Sequence, residues 1–234
     1  MIQPADARRH VSGGRVLDVA TGSGGFVHTL IDGLRDFDEI IGIDADPDAA
    51  EGFADAFRHR ADVRFVTMDA TQPAFEEGSF GTVAISNSLH HFADPEQILR
   101  QMVVMLRPNG HLVMSEMYRD HQRPAQVTHV RLHHWAAALD ALEGIVHRRT
   151  YTRRQLLRLV ERLGLVDLRL TDVSDESDAR DAGTLAQIDR VMDRQLQRAA
   201  GHPELESEGA SIRRRVHRIG IQGATTLIAV GRKA

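Results

Sequence analysis

The sequence predicts an α/β fold: a parallel sheet with helices on both faces. Apolar runs of strand length alternate with helical patterns through the first half of the chain, the rhythm of repeated βαβ units. The first apolar run breaks into a glycine-rich turn, VLDVATGSGGF over 16–26, where a helix can begin. The chain has 234 residues, 42% hydrophobic and 26% charged, which suits one such domain with an elaboration and a substantial core.

The elements follow in order. Strands are predicted at 15–20, 39–44, 63–67, 80–86 and 110–116, with helices at 24–35, 47–59 and 94–107 between them. Pro47 after Asp46 and Pro95 after Asp94 are helix-opening pairs, and Arg107-Pro108-Asn109-Gly110 reads as a turn before the fifth strand. After residue 118 the rhythm changes. A helix over 123–146 carries Val127, Val130, Leu132, Trp135, Leu139 and Leu142 on one side. A second helix over 152–163 starts with a capping box, Thr152 with Gln155, and ends at Gly164. A strand at 165–170, an acidic loop at 174–183, helices at 184–200 and 206–218, and a final strand at 224–230 complete the chain. All 234 residues read as one domain, with 119–150 and 174–218 as helical elaborations.

Composition excludes several functions. The chain has no cysteine, so disulfides, thiolate metal sites and a cysteine nucleophile are ruled out. Lys233 is the only lysine, which removes a Schiff-base lysine from the body of the domain. Formal net charge is −4, so no global field recruits a polyanion, and the run Arg213-Arg214-Arg215 reads as a solvated helix face. No apolar run reaches membrane-span length, and MIQPADARRHVSGG holds no signal-peptide core, so a cytoplasmic location is expected.

The glycine turn predicts a nucleotide-like ligand, because backbone without side chains can approach one closely. A dinucleotide fingerprint needs a third glycine at position 27, which is Val27, so that reading fails there.

The run VLDVATGSGGF resembles motif I of the class I S-adenosylmethionine-dependent methyltransferases: a strand ends in an acid, Asp18, followed by a small-x-Gly-x-Gly loop at Ala20, Gly22 and Gly24. GIDADP (42–47), FVTMDA (65–70) and TVAISNSLHHFADPEQILRQMVVMLRPNGHLVMSE (82–116) resemble the following motifs in the same order, and YTRRQLLRLVERLGL (151–165) is more weakly similar. The likeness covers about 14–118. It implies a three-layer α/β/α sandwich with a mostly parallel seven-stranded sheet, the last strand antiparallel, and a helical lid insertion.

The resemblance also implies site residues. Asp44, with Ala45 beside it, would accept the two ribose hydroxyls; Asp69 would take the adenine amino group, and the Ala70 amide a ring nitrogen. Asp18, Ala20, Gly22 and Gly24 would face the amino-acid part, and Ser86 would border the methyl group. The fourth strand departs from the family by starting Phe80-Gly81 where Phe-Asp is frequent, and Ser86-Asn87-Ser88-Leu89 is not the motif of amino-methyltransferases acting on DNA bases, glutamine or RNA adenine.

Methyl transfer from a sulfonium requires alignment above all, and a base only where the acceptor must lose a proton. His90, His91 and His133 are candidates for a base or for positioning the acceptor; Glu116, Tyr118, His129, His134 and Trp135 are candidates for lining its pocket. His129 and His133, at i and i+4, share a helix face. Three readings stand for these lid histidines. They bind a divalent metal with a carboxylate such as Glu116, they line the acceptor pocket, or they pack beside Trp135 or lie in solvent. Trp135 is expected in core or lid packing, or stacked on an aromatic acceptor.

The functional expectation is a methyltransferase moving a methyl group from S-adenosyl-L-methionine to an oxygen or nitrogen of a small molecule, releasing S-adenosyl-L-homocysteine. Neither nucleic acid nor membrane is an expected partner, and the chain is expected as a monomer or homodimer. The alternatives are a non-catalytic sensor or scaffold that binds the same cofactor, and a nicotinamide-dependent oxidoreductase.

Overall fold

Strands covered by helices on both faces must be apolar on both faces, and the central strands here are buried at all but their end residues. The computed structural model describes residues 11–234; the stretch read for an export signal begins in residues 1–10, outside the described residues. The elements run β1 (Arg15–Val19), α1 (Gly25–Gly33), β2 (Glu39–Asp44), α2 (Ala49–Phe57), β3 (Val63–Thr67), β4 (Phe80–Ser86), α3 (Pro95–Met105), β5 (Leu106–Met117), α4 (Pro124–Leu142), α5 (Arg153–Glu161), β6 (Val166–Val173), α6 (Ala182–Arg198), α7 (Pro203–Ile219) and β7 (Thr226–Arg232). A single 3₁₀ turn, Leu89–His91, follows β4.

The sheet has seven strands in the order β3-β2-β1-β4-β5-β7-β6. The first five strands pair in parallel, and β7 is antiparallel to both β5 and β6. This is the three-layer sandwich with an antiparallel last strand. Alternating residues point to opposite faces. Val16, Ile40, Ala84, Val113, Ile228 and Val230 pack under α1 and α2. Leu17, Ile41, Val83, Leu112, Met114 and Ala229 pack under α3 and α5. Val27, the residue that breaks the dinucleotide fingerprint, is fully buried with the first set.

Local signals place the helix starts. The Asp94 carboxylate accepts a hydrogen bond from the Gln97 amide (2.9 Å) at the start of α3, and Thr152 and Gln155 form the expected capping box on α5. Asp181 caps α6 by accepting from the Thr184 amide (2.7 Å), so that helix begins inside the stretch read as a loop. Residues 107–110, expected as a turn, bulge out between the pairs Phe80↔Leu106 and Thr82↔His111, with Asn109 at φ 63°. At Gly81 a side chain would collide with the Gly13 carbonyl, which explains the missing aspartate at the head of β4.

The helices α4, α6 and α7 form a separate layer around Leu132, Trp135, Leu139, Met192, Ala199, Ile212 and Val216. Helix α4 stops at Leu142, four residues before the predicted end. Gly144 takes φ 75°, and the chain turns back along 143–149. That reversal matters for the site.

Candidate functional site

The glycine loop leaves β1 with Ala20 at φ 52°, Gly22 at φ 51° and Gly24 at φ 88°. These glycines serve two different ends. A Cβ at Gly24 would run into the Phe57 ring and lie 3.0 Å from Phe53, so this glycine lets α2 close on the loop. A Cβ at Gly22 or Gly25 would meet nothing within 4 Å. There the bare backbone borders a cavity of about 570 Å³. Its walls come from the ends of several strands, including Asp18, Ala20, Gly22, Ser86, Ser115 and Thr226. Open α/β sheets bind ligands at this edge.

Asp18 is 1% exposed. Its Oδ2 accepts a 2.6 Å hydrogen bond from the Thr21 hydroxyl, while Oδ1 is buried with no partner. Burial pushes the carboxyl up to about 7, against the Thr21 hydrogen bond and with the help of the Asp44 charge. Asp44, at the end of β2, accepts from the Gly22 amide (2.8 Å) and the Asp46 amide (3.0 Å), so it fixes the glycine loop from beneath. Asp69 is exposed beyond β3 and accepts from the Thr71 amide (2.8 Å), and Ala70 is buried behind it. Ala45 is exposed just past β2. The loops after β1, β2 and β3 thus bring the expected cofactor residues to one edge of the sheet, with Gly24 behind the loop rather than on the cavity.

Beyond β4 the chain is held by Glu116, which is fully buried on β5. Its Oε1 accepts from the amides of Ser88 (2.7 Å) and Leu89 (2.9 Å). The Ser88 hydroxyl donates to the Ser86 carbonyl (2.7 Å), and Asn87 turns at φ 47° to accept from the Met117 amide (2.9 Å). Glu116 is therefore a brace of the cavity rim rather than a pocket lining.

The histidines fall into two groups. His90 is fully buried, and its Nε2 lies 3.0 Å from His133 Nε2. His147, on the returning segment after α4, brings its own Nε2 to 3.0 Å from His133 Nε2. His91 stacks on His147 with ring centroids 4.1 Å apart. None of the described residues lining the cavity is a histidine. His90 and His133, expected as base candidates, are turned toward each other instead.

The second group corrects the reading of the lid. His129 accepts from the Ala224 amide (2.9 Å) with its ring centroid 6.5 Å from that of His133, and the cluster of close ring nitrogens takes in His133 without it. His134 Nε2 accepts from the Thr150 amide (3.2 Å) and lies 2.9 Å from the Thr150 hydroxyl. Trp135 is 1% exposed and donates to the Leu205 carbonyl (2.9 Å), in the middle of the helical layer and out of reach of an acceptor. Tyr118 is buried in the sheet core. Helical spacing put His129 beside His133; it gave no sign of His147, because a reversal of the chain after Gly144 makes that contact.

Residues 4–170 match the family model for a methyltransferase domain. The chain is 33% identical over 111 residues to demethylmenaquinone methyltransferase of Renibacterium salmoninarum, covering 47% of this chain and 44% of that protein. It is 32% identical over 135 residues to polyketide synthase 19 of Gibberella fujikuroi, covering 54% of this chain and 5% of that one. The matched stretch thus spans less than half the length of either curated relative. Among solved structures, phosphoethanolamine N-methyltransferase 2 of Haemonchus contortus, in complex with S-adenosyl-L-methionine, superposes with a TM-score of 0.57 at 14% identity. That superposition covers 95% of this chain and 49% of the other, and it is a likeness of fold. With the strand order, the glycine loop and a family match over most of its length in agreement, the chain belongs to the methyltransferase family, in its class I S-adenosylmethionine-dependent branch.

Proposed function

We propose that this chain transfers a methyl group from S-adenosyl-L-methionine to an oxygen or nitrogen of a small molecule by in-line displacement. One observation carries the reading: a buried, unpartnered Asp18 oxygen on the wall of the cavity beside the bare backbone of Gly22. An orphaned buried carboxylate oxygen is costly, and the ammonium of the cofactor's amino-acid part supplies the charge that Asp18 lacks. When bound, S-adenosyl-L-methionine brings a methyl group on a sulfonium that leaves readily.

The remaining contacts come from the same edge. A carboxylate has about four acceptor positions; Asp44 uses two on the Gly22 and Asp46 amides and keeps capacity for ribose hydroxyls. Asp69 and Ala70, with Ala45 nearby, would enclose the adenine, and Ser86 the methyl end. The catalytic contribution of the chain is then alignment and exclusion of water, worth several kcal/mol in general. With the histidines turned away from the cavity, the acceptor that fits is one whose lone pair is free at neutral pH.

Calorimetry with S-adenosyl-L-methionine, S-adenosyl-L-homocysteine and NAD tests the cofactor. Binding of the first two without NAD is expected, and binding of NAD alone would overturn the reading. Turnover on an acceptor panel, read as S-adenosyl-L-homocysteine release, tests the enzyme. Tight binding with no release on any acceptor would favour a sensor.

A further inference from the structure

We propose that His90, His133 and His147 form a binding site for one divalent transition-metal ion of the zinc class, independent of the methyl-donor pocket. The three residues come from separate parts of the fold: the 3₁₀ turn after β4, the middle of α4, and the returning segment 143–149. Each offers a ring nitrogen, and the three ligand atoms lie within 4.8 Å of one another. His133 Nε2 is 3.0 Å from both of the others. Tetrahedral coordination with metal–nitrogen distances of roughly 2.0–2.1 Å separates ligand nitrogens by about 3.3 Å. The two separations from His133 are close to that, and the third, between His90 and His147, lies within 4.8 Å and closes by ring rotation.

Hydrogen bonding alone does not account for the cluster. His147 Nδ1 lies 2.6 Å from the Asp140 carboxylate, so Nδ1 carries the proton and Nε2 presents a bare lone pair to His133. Asp140 is itself held by Arg198 at 2.6 Å. Burial opposes its ionisation, but the His147 and Arg198 hydrogen bonds outweigh it and keep Asp140 below the usual carboxylate range. On the other side, His90 Nδ1 faces Glu116 Oε2 at 3.6 Å, and both atoms are buried without a hydrogen-bond partner. In the tautomer protonated at Nδ1, a turn of the His90 ring lets that N–H donate to Glu116, and His90 Nε2 is then bare as well. His133 Nε2 has at most one proton to offer to two lone pairs at 3.0 Å. A cation satisfies all three nitrogens together.

The surroundings match what metal-bound imidazoles require. A ligating histidine commonly donates its other ring N–H to a carboxylate, which fixes the ring and raises its basicity. Asp140 does this for His147, and Glu116 is placed to do it for His90. His133 sits between the other two rings, its Nε2 3.0 Å from each of theirs. Three imidazoles without thiolate suit zinc, cobalt, nickel or copper rather than magnesium or calcium, and three protein ligands leave a fourth position for water or another oxygen.

The test uses the full chain without a histidine tag, stripped with chelator and titrated with cobalt(II), then with zinc(II) in competition. One equivalent of cobalt should give a visible ligand-field band that zinc abolishes. His147→Ala should lose the band, His129→Ala should keep it, and Asp140→Asn should weaken affinity about 10–100-fold, the usual effect of removing such a carboxylate. Zinc should raise the melting temperature of the parent protein and leave that of His147→Ala unchanged, which also shows that the variant is folded. No band at one equivalent, or a band that survives in His147→Ala, overturns the site and leaves the histidines as a hydrogen-bonded cluster.

Discussion

Beyond the carboxyl ends of β4 and β5 lie two differently built regions. On the cavity side, the glycine loop, Asp18 and Asp44 lie within about thirty residues of one another, and the backbone shapes the space. On the cap side, His90 lies 43 residues before His133, across α3 and β5, His147 lies 14 residues after it, past the end of α4, and side chains shape the space. The first region is assembled by local turn chemistry, the second by tertiary packing. Local chemistry can be read from order and spacing; a contact made by packing depends on every helix end between the partners.

That contrast predicts different failures. Trp135→Ala should have the largest effect, about 3–5 kcal/mol of stability, as expected for a large side chain lost from a core. Chemical denaturation measures it. Donor binding by the folded protein should change little, and equal damage to both would break the separation of the regions.

Gly24→Ala should cost about 2–4 kcal/mol of stability, through the clash with Phe57 and left-handed strain. Gly22→Ala has the same strain without the clash, so it should cost only about 1 kcal/mol of stability. Its main effect should be weaker donor binding in calorimetry. If the two alanines behave alike, the glycines do not divide the work as their surroundings indicate.

Asp44→Ala should weaken donor binding by more than about 1 kcal/mol, the scale of a hydrogen bond to a charged group. Unchanged affinity in calorimetry would remove the ribose assignment.

Asp18 supplies the pH dependence. Burial raises its carboxyl from the ordinary 3.8 to about 7, so the folded chain holds a proton that the unfolded chain releases. Stability contributed by this group should fall as pH rises from about 4 to about 7. Donor binding favours the ionised form and should tighten as pH rises through 7. Asp18→Asn should flatten both profiles, and a slope that persists in the variant would assign the titration elsewhere.

Most of the fold was legible because each βα unit carries its own punctuation. Asp94-Pro95, Thr152 with Gln155, and the loop after Asp18 mark boundaries through side chains within a few residues. The seven strands and the antiparallel last strand followed from that rhythm and the family resemblance. The candidate site was legible only where it shares this local character: Asp18, Ala20, Gly22 and Ser86 line one cavity, and Asp44 holds its loop. His147 was invisible as a partner because its position depends on α4 ending at Leu142 and on the left-handed turn at Gly144. Trp135 was ambiguous because a core tryptophan and a stacking one look the same until Leu205 and Gly209 are seen against it.

Glu116 stands between the two regions and belongs to both. One oxygen holds the Ser88 and Leu89 amides behind the cavity rim, and the other faces His90. Its two oxygens serve two neighbours at once, so the rim of the cavity and the wall of the cap share one side chain while keeping separate ligand groups.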